Sequence, residues 1–186
     1  MIGLSRDRAG LLVVDVQERL AAAMPEDVLA QLVRNTSILI DAARRLGLPI
    51  VVTQQYPKGL GPTLRALDDA LSGAPQLHRF DKVEFAAGSC GEFLALAPAL
   101  RRDQWLVAGM EAHICVYQTA RGLVERGNQV HVVADAVCSR TKANWKIALG
   151  LAERAGAIVT STETAIFDLL GRAGSEDFKA LSKAIK

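Results

Sequence analysis

Residues Trp105–Val116, WLVAGMEAHICV, change character part-way through. An apolar run suited to a buried strand ends at Gly109, and a few residues later Cys115 stands where a long amphipathic pattern begins. The reading is strand, short turn, helix, with one thiol in the opening turn of the helix. Unpaired backbone N–H groups and the positive end of the helix dipole favour a thiolate there, whereas an apolar core keeps a thiol protonated. An activated cysteine is therefore expected, set against packing, the commonest fate of a free cysteine.

Outward from this stretch, short β-rich runs alternate with longer helical patterns, the signature of βαβ units around a parallel sheet. Gly10–Val16, GLLVVDV, is almost wholly apolar, as a strand buried on both faces should be. Pro25 opens a helix with Glu26 and Asp27 in its first turn; apolar positions recur at helical spacing from Leu29 to Ala43, and Gly47 stops it. Further strands are expected at Pro49–Thr53, Gln76–Phe80, Asp103–Ala108, Gln129–Ala134 and Ala157–Thr160. Between them lie helices at Thr63–Leu71, Gly91–Leu100, Ala112–Arg126 and Lys142–Ala155, with helical pieces from Glu163 onward. Gln54–Pro62, QQYPKGLGP, is the most turn-like segment. The expected fold is a three-layer α/β/α domain over residues 1–186 with a six-stranded, mostly parallel, Rossmann-like sheet. Right-handed crossovers gather the loops after the strands along one edge, where ligands bind. Asp15, Gln54–Pro62, the region after Phe80, Cys115 and Asp135 all fall there.

Composition narrows the partners. The chain has 186 residues, half of them hydrophobic, and a net charge of +2 with no basic run, so no nucleic-acid partner is expected. Met1–Arg8 is too short and polar for a secretory signal and no stretch is long enough to span a bilayer, so a cytoplasmic protein off the membrane is expected. Cys90, Cys115 and Cys138 are widely spaced, which argues against a disulfide framework or a CxxC site. His78, His113 and His131 lack metal-ligand spacing, and Gly59–Gly61 lacks that of a phosphate loop; no metal or cofactor is expected.

Asp15 is costly within an apolar run unless it is paired or hydrogen-bonded. It reads either as a turn cap or as a general base. Lys82, ordinarily a solvated residue, gains interest because a thiolate and a carboxylate in one cleft need a cation. Cys138 is the competing nucleophile, and Cys90 a bystander.

LLVVDVQ around Asp15, DKVEF at Lys82 and AGMEAHICV ending in Cys115 resemble the three motifs of the isochorismatase-like cysteine hydrolases. The similarity runs from about Arg8 to Leu170, and QYPKGLGPT and QVHVVADAVCSR resemble the isochorismatase domain-containing branch. The resemblance implies Cys115 as nucleophile, Asp15 as base and Lys82 as the cation holding both. It also implies oxyanion donors from the Cys115 N–H and from a non-proline cis peptide at Met110–Glu111. Gln17, Gln54, Tyr56, Phe85 and His113 are candidates to line the substrate pocket. The expected activity is metal-independent hydrolysis of a small amide, imide or related carbonyl compound through a thioester. A noncatalytic binding protein or a vinyl-ether hydrolase is the alternative. Glu111-Ala112-His113 departs from the Thr-Asp or Thr-Glu of better-known members, and QQYPKGLGP replaces the metal motif of nicotinamidases. The resemblance further implies a small-molecule substrate and a homo-oligomer.

Overall fold

A computed structural model describes residues 3–186; Met1 and Ile2, the start of the segment assessed as a signal, lie outside the described residues. Six strands form one all-parallel sheet in the order β3-β2-β1-β4-β5-β6: β1 (Ala9–Val14), β2 (Ile50–Gln55), β3 (Leu77–Lys82), β4 (Gln104–Met110), β5 (Gln129–Cys138) and β6 (Ile158–Thr160). The order reverses between β1 and β4, which opens a crevice at their C-terminal ends.

Every residue of β1 and of β4 is buried, because helices cover both sides of the sheet. Period-two alternation sorts the side chains of β1 between two cores: Leu11 and Val13 enter one, Leu12 and Val14 the other. The first core is covered by α2 (Glu26–Leu46), α4 (Arg65–Leu71), α8 (Thr162–Leu170) and α9 (Glu176–Ile185). The second is covered by α5 (Gly91–Leu100), α6 (Tyr117–Glu125) and α7 (Lys142–Arg154), with Phe93 edge-on to buried Trp105. α2 begins after Pro25 and ends at Gly47 with φ 72°, the left-handed stop expected of a glycine there.

Three local departures shape the crevice. Gln54–Pro62 is no open loop: β2 runs on through Gln55, and Pro57–Leu60 forms the one-turn helix α3. A short helix α1 (Glu18–Ala21) precedes α2, and Gln17 bridges to Thr63. β5 extends past Ala134 to Cys138, with a register shift in β4 between Val107 and Gly109, so Met110 pairs with Cys138.

Candidate active site

Four neighbouring strands deliver their ends to one place. Asp15 follows β1 by one residue, Thr53 and Gln55 lie at the end of β2, and Lys82 closes β3 in register with Gln55. After β4 come the cis peptide Met110–Glu111 and a widened turn, Ala112–Val116, that carries Cys115 into α6. In that turn the Val116 N–H reaches back five residues to the Glu111 carbonyl at 3.3 Å, the π-type spacing that often marks functional sites. The single α-helix expected over Ala112–Arg126 is thus a π turn followed by α6.

Asp15 is fully buried and sits in the left-handed region at φ 51°, which Asp tolerates better than most side chains. Both carboxylate oxygens are engaged: Thr53 Oγ1 donates to Oδ1 at 2.6 Å and Lys82 Nζ to Oδ2 at 2.6 Å. Lys82 Nζ also faces Gln55 Oε1 at 2.8 Å and the Glu84 and Phe85 carbonyls at 3.2 and 3.3 Å. A buried ion pair persists when its remaining donors and acceptors are satisfied in this way.

Cys115 is 5% exposed. Burial first, then the Asp15 charge, push its thiol up to about 12; Lys82 pulls the other way, while the hydrogen bond with Asp15 and the Glu111 charge add to the rise. The expectation of a thiolate favoured by a helix start is corrected here. The resting sulfur keeps its proton because the turn is buried, and desolvation outweighs the cation and the dipole. Cys138 closes β5, also buried and pushed up to about 12, with Glu111 adding to burial and no lysine among the charges acting on it. Cys90 is buried and donates to the Ala87 carbonyl at 3.0 Å.

The candidate pocket residues divide. Gln17 is buried with its amide fully used: Nε2 donates to the Gln55 and Gly61 carbonyls, and Oε1 accepts from the Gln55 N–H. Gln54 accepts from Thr63 and donates to Asp81. Both glutamines therefore tie the segment after β2 into place. Tyr56 is exposed and lines a cleft of about 410 Å³ with Pro57, Lys58, Lys82, Val83 and Glu84. Phe85 is 52% exposed. His113 leans on Ser139, its Nδ1 3.0 Å from Oγ. Glu111 is 5% exposed, and its carboxylate accepts from Arg140 N at 2.9 Å and Nε at 3.1 Å. Thr53, Gln55 and Arg140 were missed in the sequence. Gln55 was hidden because QQYPKGLGP reads as a turn, and Arg140 because its partner is 29 residues away. Among the described residues no cluster of three or more His, Cys, Asp or Glu is arranged to hold a metal.

The Isochorismatase domain profile matches residues 9–164. The secreted isochorismatase effector Isc1 of Phytophthora sojae is 37% identical, over 95% of this chain and 83% of its own length. Isochorismatase domain-containing protein 2 of Bos taurus is 36% identical, over 95% and 82%. The structure of MAR1 ribonuclease from Caenorhabditis elegans superposes with a TM-score of 0.90 at 37% identity, covering 98% of this chain and 92% of that one. With its parallel α/β sheet and this match over most of its length, the chain belongs to the isochorismatase family, in the branch of isochorismatase domain-containing proteins.

Proposed function

We propose that the protein is a metal-independent cysteine hydrolase acting on a small amide, imide or related carbonyl compound, with Asp15, Lys82 and Cys115 as its catalytic residues. The observation that carries this reading is the fully buried Asp15–Lys82 pair acting on the Cys115 thiol. Substrate entry displaces water and presents an electrophile. The Cys115 proton then passes to Asp15, and sulfur attacks the carbonyl carbon. The oxyanion receives hydrogen bonds from the Cys115 and Glu111 backbone N–H groups, each such donor stabilising the transition state by about 3 to 4 kcal/mol. The carbon–nitrogen bond breaks as Asp15 returns its proton to the leaving nitrogen. Water, deprotonated by Asp15, then cleaves the thioester and releases the acid, and Asp15 hands its proton back to sulfur. Tyr56 supplies aromatic surface to the cleft beside Lys82, and the substrate is small because the three groups lie so deep.

Iodoacetamide labelling followed by peptide mass mapping tests the site. Cys115 should react faster than Cys90 and Cys138, Lys82→Ala should slow it, and Asp15→Asn should change its rate. Equal labelling of all three cysteines, unaffected by either substitution, overturns the reading. A panel of amides, esters and vinyl ethers, run against Cys115→Ala, tests turnover; isochorismate in the panel reports vinyl-ether cleavage as pyruvate. Failure of every compound favours a binding protein.

Likeness to the nematode ribonuclease structure favours RNA hydrolysis as a second reading. Against it, the cleft beside Lys82 is lined by three acids, Asp81, Glu84 and Glu92, against two lysines, Lys58 and Lys82, so it lacks the net positive charge that holds a phosphodiester chain. Incubation with RNA distinguishes the two, since degradation lost in Cys115→Ala supports the second. We also place the protein in the cytoplasm as a homo-oligomer. Among the described residues no helix is long and apolar enough to cross a membrane, and Val83 and Ile147 leave 73% and 57% of their surface open to a second copy.

A further inference from the structure

Lys82 meets one neutral side chain, and that side chain is unusually well held. Gln55 is 7% exposed and stands beside Lys82 in register across β2 and β3. Its Oε1 accepts from Lys82 Nζ at 2.8 Å, while its Nε2 donates to the Val83 carbonyl at 2.8 Å. Its backbone is gripped as well: Gln17 Oε1 accepts from the Gln55 N–H at 2.7 Å, and Gln17 Nε2 donates to the Gln55 carbonyl at 3.0 Å. Rotating the amide would set its NH2 against the ammonium and its oxygen against the Val83 carbonyl, so both side-chain bonds oppose an exchange of donor for acceptor. The oxygen end therefore always faces the ammonium.

We propose that Gln55 is a positioning residue that holds the Lys82 ammonium against Asp15 and the Glu84–Phe85 backbone, and so limits how much of its positive charge acts on Cys115. The inference rests on the triad reading above. An ammonium has three protons, and Lys82 has four oxygens around it. Asp15 after β1 and Gln55 on β2 take the two short contacts; because β1 lies between β2 and β4, the Gln55 contact is the one that holds the ammonium back from the turn after β4. A neutral amide suits this position because it satisfies the cation without cancelling its charge, as a carboxylate would.

The groups acting on Cys115 are Asp15 after β1, Lys82 on β3 and Glu111 at the end of β4, with Glu111 paired to Arg140 from the loop after β5. On its own turn His113 is turned to Ser139. Lys82 alone pulls the thiol toward ionisation, so whatever alters its charge or place alters the sulfur.

Two substitutions of similar volume should act in opposite directions. Gln55→Glu adds a negative charge beside Lys82, and Cys115 should react with iodoacetamide about three- to tenfold more slowly between pH 7 and pH 9. That range follows from a shift of roughly one pH unit, partly offset by the greater nucleophilicity of a more basic thiolate. Gln55→Met removes the acceptor, frees the ammonium to move toward sulfur, and should raise the rate at least about twofold. Peptide mapping assigns the label to Cys115, and thermal melting of both variants reports any loss of fold. A purely structural glutamine predicts that both variants slow together in proportion to lost stability, and that result overturns the proposal. If wild-type Cys115 is no more reactive than Cys138 and is indifferent to Lys82→Ala, the triad reading fails instead.

Discussion

Replacing Gly109 by alanine should destabilise the protein by prying apart its two central strands. Gly109 has φ 127°, and a Cβ built there would lie 2.0 Å from the Val14 carbonyl oxygen, 2.7 Å from its nitrogen and 2.8 Å from its carbonyl carbon. These atoms belong to the β1 backbone, so no side-chain rotation relieves the clash. An ordinary C···O contact is about 3.3 Å, so β1 and β4 would have to part by more than about 1 Å at this point. The strained φ costs about 1 to 2 kcal/mol for an L-residue, and two flanking inter-strand hydrogen bonds, each worth about 1 kcal/mol net, are stretched. The loss is then about 3 to 4 kcal/mol, a fall in melting temperature of roughly 6 to 16 °C for a chain of this size. Gly47→Ala is the control: it has positive φ of 72° but nothing within 4 Å, so it suffers only the backbone term. Far-UV circular dichroism melts of both variants give the comparison. Because Val14 precedes Asp15, labelling of Cys115 in Gly109→Ala should also fall. If Gly109→Ala melts with Gly47→Ala and labels like wild type, the close approach of the two strands is wrong.

Lys82→Met leaves the Asp15 carboxylate buried without its cation and should destabilise by about 3 to 5 kcal/mol in urea unfolding; Asp15→Asn added to it should recover a large part of that loss. Glu111→Gln removes a charge that holds the Cys115 thiol protonated, so iodoacetamide labelling at pH 8 should quicken severalfold. The two thiols pushed up from 9.0 to about 12 keep their protons when folded and lose them when unfolded. Their contribution to stability is whole below pH 9 and is lost as pH rises to 12, so urea midpoints should fall across that window, less steeply in Cys138→Ala.

The parallel sheet and the order of its strands' functional ends were legible in the sequence because they rest on local pattern. Apolar runs such as GLLVVDV, short and rich in β-branched residues, read as strands buried on both sides, and βαβ handedness then gathers Asp15, Lys82 and Cys115 at one edge. The cis peptide at Met110–Glu111 was expected from family resemblance alone, and the backbone adopts it. Gln17 and Gln54, read as pocket walls, bond groups that only the folded segment after β2 brings within reach: backbone groups for Gln17, and Thr63 and the Asp81 carboxylate for Gln54.

The charge state of Cys115 was decided by tertiary structure alone. Position in a helix start is a property of neighbours in sequence, and it favours a thiolate; burial is set by what packs over the turn, and it wins. The same holds for Gln55, which in sequence is one polar residue in a turn-rich run and in the fold is the amide that faces Lys82. Sequence by itself determined which residues reach the edge of the sheet, since that depends on periodicity and handedness. Their protonation and partners depend on distances across strands, and only the packed structure brings those charges together.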